Sequence, residues 1–217
     1  VSAPVKVHNR VIGVVNLADK RSDQEQVFSE TDLNILCTIV HLASVAIENA
    51  DFVQQLTHLS MTDPLTGIYN HRYFVASLDR EIHRANRYGK PLCLFMIDVD
   101  NFKTYNDAYG HLEGDYLLKT VAGILKSNLR VVDIVCRYAG DEFVVILPET
   151  DSAEAVTAAE KIKKAIEHAI LKQKVTISIG IAQYASPNMN KYDFILKADT
   201  ALFQAKKQGK NAIRSFR

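Results

Sequence analysis

Apolar positions near the N-terminus follow the two-residue period of β-strands. Residues 5–17 alternate and then become continuously apolar, which predicts two short strands with a turn near residues 8–9. The polar stretch 19–26 that follows is predicted to be a loop. The chain is therefore expected to open with a small β-structure.

A helical apolar period then runs from residue 30 to residue 59 and predicts one long helix, with Ser29 and Asp32 spaced as in an N-terminal capping box. Its apolar positions step by four and three residues. They are Leu36, Val40, Ala43, Ile47 and Ala50. Such a seam packs either on the helix's own domain or in a parallel dimer. We favour the dimer, because a lone helix of this length has no evident surface to cover its seam.

The rest of the chain alternates between helical and strand periods. The predicted segments are helices at 71–88, 114–128, 153–169 and 192–208 and strands at 92–97, 134–138, 143–147, 175–183 and 212–216. The second and third of these strands are close enough in sequence to form a hairpin. This order predicts an α/β (α+β) fold, with helices packed on a central sheet of the palm or ferredoxin-like type.

Composition argues against several classes of protein. Of the 217 residues 47% are apolar, which suffices for a core, and a net charge of +1 argues against binding to nucleic acid. No apolar run approaches the roughly 20 residues of a membrane span, so we expect no membrane segment within this chain and a cytoplasmic protein. Cys37, Cys93 and Cys136 lie among apolar neighbours and are predicted to be reduced packing residues.

Acidic residues are concentrated where strands end. Asp98 and Asp100 close the buried strand, and Asp141 and Glu142 occupy the hairpin turn. If the hairpin pairs beside the buried strand, Asp98, Asp141 and Glu142 converge and repel each other unless a cation neutralises them. Hard oxygen ligands suit Mg²⁺ or Mn²⁺, which is typical of phosphate chemistry. Taken alone, Asp98 is equally well explained as a turn or cap residue, but the whole set is not.

Other polar residues suggest a nucleotide ligand. Asn106 and Asp115 offer the amide and the carboxylate that suit a guanine edge, and Lys103, Lys206 and Lys210 offer positive charge for phosphates. Taken singly, the lysines have ordinary explanations as solvated residues or as favourable charge at a helix C-terminus.

Four motifs occur in a fixed order along the second part of the chain. They are MTDPLTGIYN at 61–70, DVDNFKTYNDAYGHLEGD at 98–115, RYAGDEF at 137–143 and ADTALFQAK at 198–206. Any one of them would be weak, but together they resemble the motifs of the GGDEF-type diguanylate cyclase family. Residues 11–17, 28–33 and 46–50 similarly resemble the C-terminal part of a GAF sensor domain. The resemblances divide the chain into an incomplete GAF-like part at 1–29, a signalling or dimerisation helix at 30–60 and a GGDEF domain at 61–217.

The resemblance implies that a homodimer condenses two GTP into cyclic di-GMP and two pyrophosphate, with Mg²⁺ or Mn²⁺ as cofactor. The residues it assigns to the metal are Asp98, Val99 (through its carbonyl), Asp141 and Glu142. Of these, it assigns the catalytic role to Asp98, Asp141 and Glu142. The residues it assigns to GTP are Phe102, Lys103, Asn106, Asp115, Gly140, Lys206 and Lys210.

Two further features bear on whether the product inhibits the enzyme and on whether the domain is catalytically active. Arg130 and Asp133 match the family's R-x-x-D inhibitory site, which implies feedback by cyclic di-GMP, although a helix-end arginine and a turn aspartate form the same pattern. Ala139 replaces the first glycine of the family's signature. If φ is positive at that residue, alanine costs about 1 kcal/mol, and if φ is negative the cost is small. The alternative function is therefore a degenerate GGDEF domain that binds GTP or cyclic di-GMP as a sensor.

Overall fold

The computed structural model of the protein describes residues 1–7, 10–18, 28–59, 61–184 and 189–216, without the side chains of 51 and 53–59. The chain forms two compact units, Val1–Ser60 and Met61–Arg217. The turn predicted at 8–9 and the loop predicted at 19–26 lie outside the described residues.

The first unit joins a two-stranded antiparallel sheet to a long helix. Its elements are β1 (Ser2–Val7), β2 (Arg10–Asn16) and α1 (Glu30–Leu59). The capping box at the start of α1 forms as predicted: the backbone N–H of Ser29 donates to Asp32 Oδ2 at 2.8 Å, and the backbone N–H of Asp32 donates to Ser29 Oγ at 3.3 Å.

The seam predicted on α1 is wrong in its first half. Leu36 and Val40 are buried against β1 in the unit's own core, because alternate residues of that strand face the helix. The exposed apolar positions with the same four-three spacing lie one residue earlier, at Ile35, Ile39 and Leu42. A sequence pattern alone does not distinguish these two parallel stripes.

The structure bears on two other expectations for this unit. Residues 30–50 of α1 are long and apolar enough to cross a membrane by length and composition, although core helices of soluble proteins and signal sequences meet the same criterion. Cys37 is exposed rather than packed. In the second unit Cys93 and Cys136 are buried as predicted, and burial raises the pKa of each thiol to about 12.

The second unit is built on a five-stranded sheet. Its strands are β3 (Leu92–Val99), β4 (Ile134–Ala139), β5 (Glu142–Pro148), β6 (Ile177–Gln183) and β7 (Ile213–Ser215). Its helices are α2 (His71–Tyr88), α3 (Phe102–Tyr109), α4 (His111–Asn128), α5 (Ser152–Glu167) and α6 (Lys191–Lys207). The strand order is β4-β5-β3-β6-β7, and β3 runs antiparallel to both of its neighbours. The fold class predicted from the sequence is confirmed.

Helices cover both faces of this sheet, which explains why β3 is continuously apolar. Phe95 and Ile97 of β3 face the core that contains α4 and α5, whereas Leu94 and Met96 face the core that contains α2 and α6. The hairpin of β4 and β5 pairs beside β3, as the sequence predicted. The open end of β3 is thus surrounded by the hairpin turn, the α3 segment and the end of α6.

Helix α6 lies in backbone contact with β6, and Gly180 makes that contact possible. A Cβ atom at residue 180 would lie 2.2 Å from the carbonyl oxygen of Ala198 and 2.2 Å from the backbone nitrogen of Leu202. The glycine therefore sets how close α6 lies to the sheet, and with it the position of the lysines at the end of that helix.

Candidate active site

The acidic residues predicted to converge lie at the open end of β3. Asp98 pairs in register with Glu142 of β5, and the backbone N–H of Val99 donates to the carbonyl oxygen of Asp141 at 3.3 Å. Backbone hydrogen bonds therefore hold the hairpin turn at the end of the central strand, because the ladder between β3 and β5 continues up to the turn.

A lysine from α6 reaches this acidic end. Lys206 Nζ lies 2.6 Å from Asp98 Oδ2, and the Asp98 side chain is only 13% exposed. Burial is the largest cause that raises the pKa of Asp98, Lys206 opposes it, and the charge of Asp141 adds to it. Burial and then the charge of Asp98 likewise raise the pKa of Glu142. The carboxylates thus repel each other through space, and Lys206 is the cation that offsets this repulsion.

These donors fit a hard divalent cation in their chemistry. Half-buried carboxylates whose pKa values are raised by neighbouring acids, as those of Asp98 and Glu142 are, are stabilised by a positive ion, and Mg²⁺ and Mn²⁺ prefer oxygen ligands. Among the residues that the structure describes, however, no group of three or more His, Cys, Asp or Glu side chains is gathered to hold a metal ion. Asp98 is bound by Lys206 instead.

The turn between β4 and β5 retains the glycine that it needs. Gly140 has φ +48°, in the left-handed region, whereas Ala139 is not among the residues with positive φ. The alanine that departs from the family's signature therefore stands where a side chain carries little backbone strain. Of the two outcomes considered for Ala139, the structure supports the one with the small cost.

Arg137 stabilises the turn between β4 and β5 by hydrogen bonds to its backbone. Its Nε and Nη2 atoms donate to the carbonyl oxygen of Gly140 at 2.9 and 2.8 Å, and its Nη1 lies 3.2 Å from Asp63 Oδ1. Asp63 also accepts the backbone N–H and the hydroxyl of Thr66. Burial raises the pKa of Asp63, but the hydrogen bonds from Thr66 and the charge of Arg137 outweigh it and lower the pKa below its ordinary value. One guanidinium thus ties the first motif to the third.

Asp100 fixes the loop that carries Lys210. The Asp100 carboxylate is buried and accepts hydrogen bonds from Thr176 Oγ1, Ser178 Oγ and the backbone N–H of Asn211 at 2.7, 2.7 and 2.9 Å. Lys210 and Asn211 have φ of +63° and +47°, so this anchor holds a strained stretch of backbone. Lys210 Nζ then contacts Asn101 Oδ1 at 2.5 Å, near the end of β3.

The residues predicted to bind guanine lie on α3 and α4. Asn106 presents a buried carboxamide oxygen with no hydrogen-bond partner in the described part of the chain. A Cβ at Gly114 would lie 1.8 Å from that oxygen, so the missing side chain of Gly114 provides the space that Asn106 occupies. Asp115 follows on α4 and is partly buried. An unpaired buried acceptor is costly, and a rotation of the carboxamide that exposes this oxygen would let a ligand donor such as a guanine amino group satisfy it.

Phe102 and Lys103, which were also assigned to GTP, begin α3. Phe102 is partly buried and packs against the core, while Lys103 is exposed. The lysine is thus free to extend toward solvent from the same short helix as Asn106.

Replacing Gly114 with alanine is expected to weaken GTP binding about tenfold, because the new methyl group displaces the Asn106 carboxamide. Isothermal titration calorimetry with GTP measures the change. Gly123→Ala is the matched control, because it lies on the same helix and a Cβ there meets nothing within 4 Å. Equal GTP affinity in the two variants would contradict this role for Gly114.

Arg130 and Asp133 lie on the loop before β4, beside two cavities. The backbone N–H of Arg130 donates to Asp133 Oδ2 at 2.7 Å, while Asp133 Oδ1 is buried without a hydrogen-bond partner among the described residues. A cavity of about 470 Å³ is lined in part by Tyr69, Lys126, Arg130 and Asp133. A second, of about 320 Å³, also reaches Arg130 and Asp133 and extends along α5.

Asp133 is expected to make the stability of the second unit depend on pH. Burial raises the pKa of Asp133 above its ordinary value, and its hydrogen bond and charge interaction with Arg130 only partly oppose this. Its contribution to stability is therefore complete below the ordinary aspartate pKa and is lost as pH rises through the raised pKa. Asp133→Asn should raise the urea midpoint at pH 7, and the advantage should shrink toward about pH 4. A difference that is the same at both pH values would contradict the assignment.

Sequence reasoning missed several residues that shape this site. Arg137 and Asp63 both stand inside quoted motifs, but their pairing joins positions 74 residues apart and has no local signal. The sequence indicates Asp100 only as an acid at a strand end. Its D-x-D spacing with Asp98 is the available clue to its role as the anchor of the Lys210 loop. Gly180 lies outside the four motifs and is explained only by the approach of α6.

Comparison with known proteins agrees with this geometry. The family model "Diguanylate cyclase, GGDEF domain" matches residues 60–212, and a GAF domain model matches residues 1–47. The chain therefore belongs to the GGDEF diguanylate cyclase family.

The chain is similar to named proteins and to a solved structure. Diguanylate cyclase A of Treponema denticola is 36% identical over 218 residues, covering 97% of this chain and 57% of that protein. The response regulator PleD of Caulobacter vibrioides is 40% identical over 162 residues, covering 71% of this chain and 36% of PleD. The crystal structure of the GGDEF domain of DgcB from Caulobacter crescentus with c-di-GMP matches with a TM-score of 0.69 at 30% identity, covering 72% of this chain and 95% of that domain. The chain thus spans 57% or less of the length of these two relatives.

Proposed function

We propose that this protein is a diguanylate cyclase that condenses two GTP into cyclic di-GMP and two pyrophosphate. The observation that carries the proposal is the register of Asp98 with Glu142, which sets the acidic hairpin turn beside the end of the central strand. The conformation of the turn supports it, since Gly140 takes the left-handed conformation and Ala139 does not need it. The kinship with Diguanylate cyclase A is consistent with this activity.

Each side chain has a role in binding or orientation. Asn106 and Asp115 would read the guanine edge, because a carboxylate accepts from guanine N–H groups and the amide completes the pattern. Lys103, Lys206 and Lys210 would neutralise the triphosphate. The reaction forms a bond from each ribose 3′-oxygen to the α-phosphorus of the other GTP and breaks the bond to the β-phosphate, so pyrophosphate leaves.

The carboxylates of Asp98, Asp141 and Glu142, with the Val99 carbonyl, would hold Mg²⁺ or Mn²⁺. Such an ion, when bound, lowers the pKa of a hydroxyl nucleophile and neutralises phosphate charge. The three acids would orient it at the end of β3, since the β3–β5 ladder holds the backbones of Asp98 and Glu142 in place and the backbone N–H of Val99 holds the carbonyl of Asp141.

The active species would be a homodimer. Each chain carries one guanine-reading pair and one phosphate-binding set, which is half of what joining two nucleotides requires. The exposed stripe of Ile35, Ile39 and Leu42 on α1, with heptad spacing, is a surface that a second copy would cover. Dimerisation would then control activity.

Cyclic di-GMP would inhibit the enzyme at Arg130 and Asp133. The adjoining cavity of about 470 Å³ brings Tyr69 and Lys126 next to this pair, which gives an aromatic face and positive charge for a guanine nucleotide. The unpartnered Asp133 Oδ1 would accept a hydrogen bond from a guanine N–H. DgcB was crystallised with c-di-GMP, which is consistent with a product site in this family.

The test is to incubate the purified chain with GTP and Mg²⁺ and to measure cyclic di-GMP by chromatography over a range of protein concentrations. Wild type and Ala139→Gly should both form product, with a rate per chain that rises with concentration, and Asp141→Ala should form none. Asp107→Ala, at an exposed residue of α3, is the matched control and should stay active. Absence of product at every concentration would favour the nucleotide-binding sensor, and binding of cyclic di-GMP at Arg130 would then be measured.

A further inference from the structure

In the proposed function Asp98 binds the metal ion and Lys206 binds the triphosphate. In the structure, however, Lys206 and Asp98 form an ion pair with each other. The distance from Lys206 Nζ to Asp98 Oδ2 is 2.6 Å, so the ammonium occupies one of the oxygens assigned to a divalent cation. An ammonium and a divalent cation repel each other strongly at one carboxylate oxygen. Lys206 must therefore leave Asp98 Oδ2 before a metal ion binds there.

The position of Lys206 follows from the packing of α6. Ala198 and Leu202 meet β6 at Gly180 through their backbone atoms, and Lys206 follows Leu202 by four residues on the same face of the helix. Because α6 lies against the sheet at Gly180, the next turn of its inner face extends over the end of β3. The ion pair is thus a consequence of the fold.

The two partners differ in how freely they move. The Asp98 side chain is 13% exposed and belongs to the central strand, whereas the Lys206 side chain is 33% exposed and has a flexible four-carbon stem. A largely buried carboxylate requires a counter-charge as long as it stays ionised. Lys206 is therefore the partner that moves, and a replacement cation must take its place. Lys210 differs in this respect, because its partner Asn101 is neutral.

We propose that Lys206 is an exchangeable counter-ion, which neutralises Asp98 in the nucleotide-free protein and transfers to the triphosphate when a divalent cation binds Asp98. This inference rests on the proposed function. The exchange couples the two ligands: a nucleotide that attracts Lys206 frees Asp98 for the metal, and by linkage the metal frees Lys206 for the nucleotide to the same extent. Metal alone binds weakly because it must first displace the lysine.

The experiment compares Mn²⁺ affinity without nucleotide, measured from the electron paramagnetic resonance signal of free Mn²⁺. Lys206→Met should bind Mn²⁺ about fivefold or more tightly than wild type, because no ammonium competes for Asp98. Lys207→Met is the matched control, since it removes the same charge one residue away, where the ammonium lies over the Phe203 ring. It measures the general effect of lost positive charge. Equal Mn²⁺ affinity in the two variants would overturn the proposal.

A second variant and the activity assay separate the possible failures. Lys206→Gln should also bind Mn²⁺ more tightly than Lys207→Met, and circular dichroism verifies that each variant is folded. If wild type makes cyclic di-GMP but the Lys206 variants do not gain Mn²⁺ affinity, only the counter-ion proposal fails. If wild type neither binds Mn²⁺ nor forms product, the proposed function fails and takes this inference with it.

Discussion

Gly180→Ala is expected to lower the free energy of unfolding of the second unit by about 3 kcal/mol. The new methyl group would lie 2.2 Å from two backbone atoms of α6, which have no freedom to rotate away as a side chain would. The helix must therefore shift outward over its whole contact with β6. Urea unfolding followed by far-UV circular dichroism measures the loss, since the chain has no tryptophan to serve as a fluorescent probe.

Gly123→Ala is the control for this result. Gly123 lies in the interior of α4, is exposed and has nothing within 4 Å of its missing Cβ. Alanine there should stabilise the helix by about 0.5–1 kcal/mol, because glycine loses more backbone freedom on folding. If the free energy of unfolding falls for Gly180→Ala and rises for Gly123→Ala, close packing explains the effect at Gly180, and the loss of a glycine as such does not. A loss below about 1 kcal/mol at Gly180 would contradict the backbone contact.

Asp100→Ala should also be strongly destabilising, by about 4 kcal/mol. It removes an acceptor shared by Thr176, Ser178 and the backbone N–H of Asn211, and leaves these donors without it. Urea unfolding measures the change, with the exposed Asp107→Ala as the control that should stay within about 0.5 kcal/mol of wild type.

The same substitution separates the role of Asp100 from that of the acids at the end of β3. Loss of the Asn211 anchor releases the Lys210 loop, so nucleotide binding should weaken more for GTP than for guanosine, which has no phosphates for Lys210 to meet. Calorimetric titration with both ligands under conditions where the variant is folded gives this ratio. Equal weakening for both ligands would mean that Asp100 acts on the fold as a whole.

The sheet was predictable because its signals are local. The unbroken apolar run from residue 92 indicated a strand buried on both faces, and β3 is such a strand. Helix α3 was not predicted because it is only eight residues long, buries only Tyr105 and is separated from α4 by Gly110. On α1 the prediction chose one of two adjacent heptad stripes, and the choice depended on β1, whose packing partner the sequence does not name.

The candidate site was predictable to the extent that it depends on strand pairing. A hairpin beside the central strand brings Glu142 next to Asp98 whatever else packs around it. The contact of Lys206 with Asp98 was not predictable, because it depends on how closely α6 packs against β6 at Gly180. The backbone conformation at Ala139 was not predictable either, because both signs of φ were compatible with the sequence.

The pairing of Arg137 with Asp63 has an evolutionary consequence. Both side chains are less than one-fifth exposed, so losing either one leaves the other as a largely buried charge without its partner. A lineage that changes one of them must therefore change the other or lose stability in the intermediate. Two residues that stand 74 positions apart are in this way expected to change together among relatives, although neither residue is assigned a ligand.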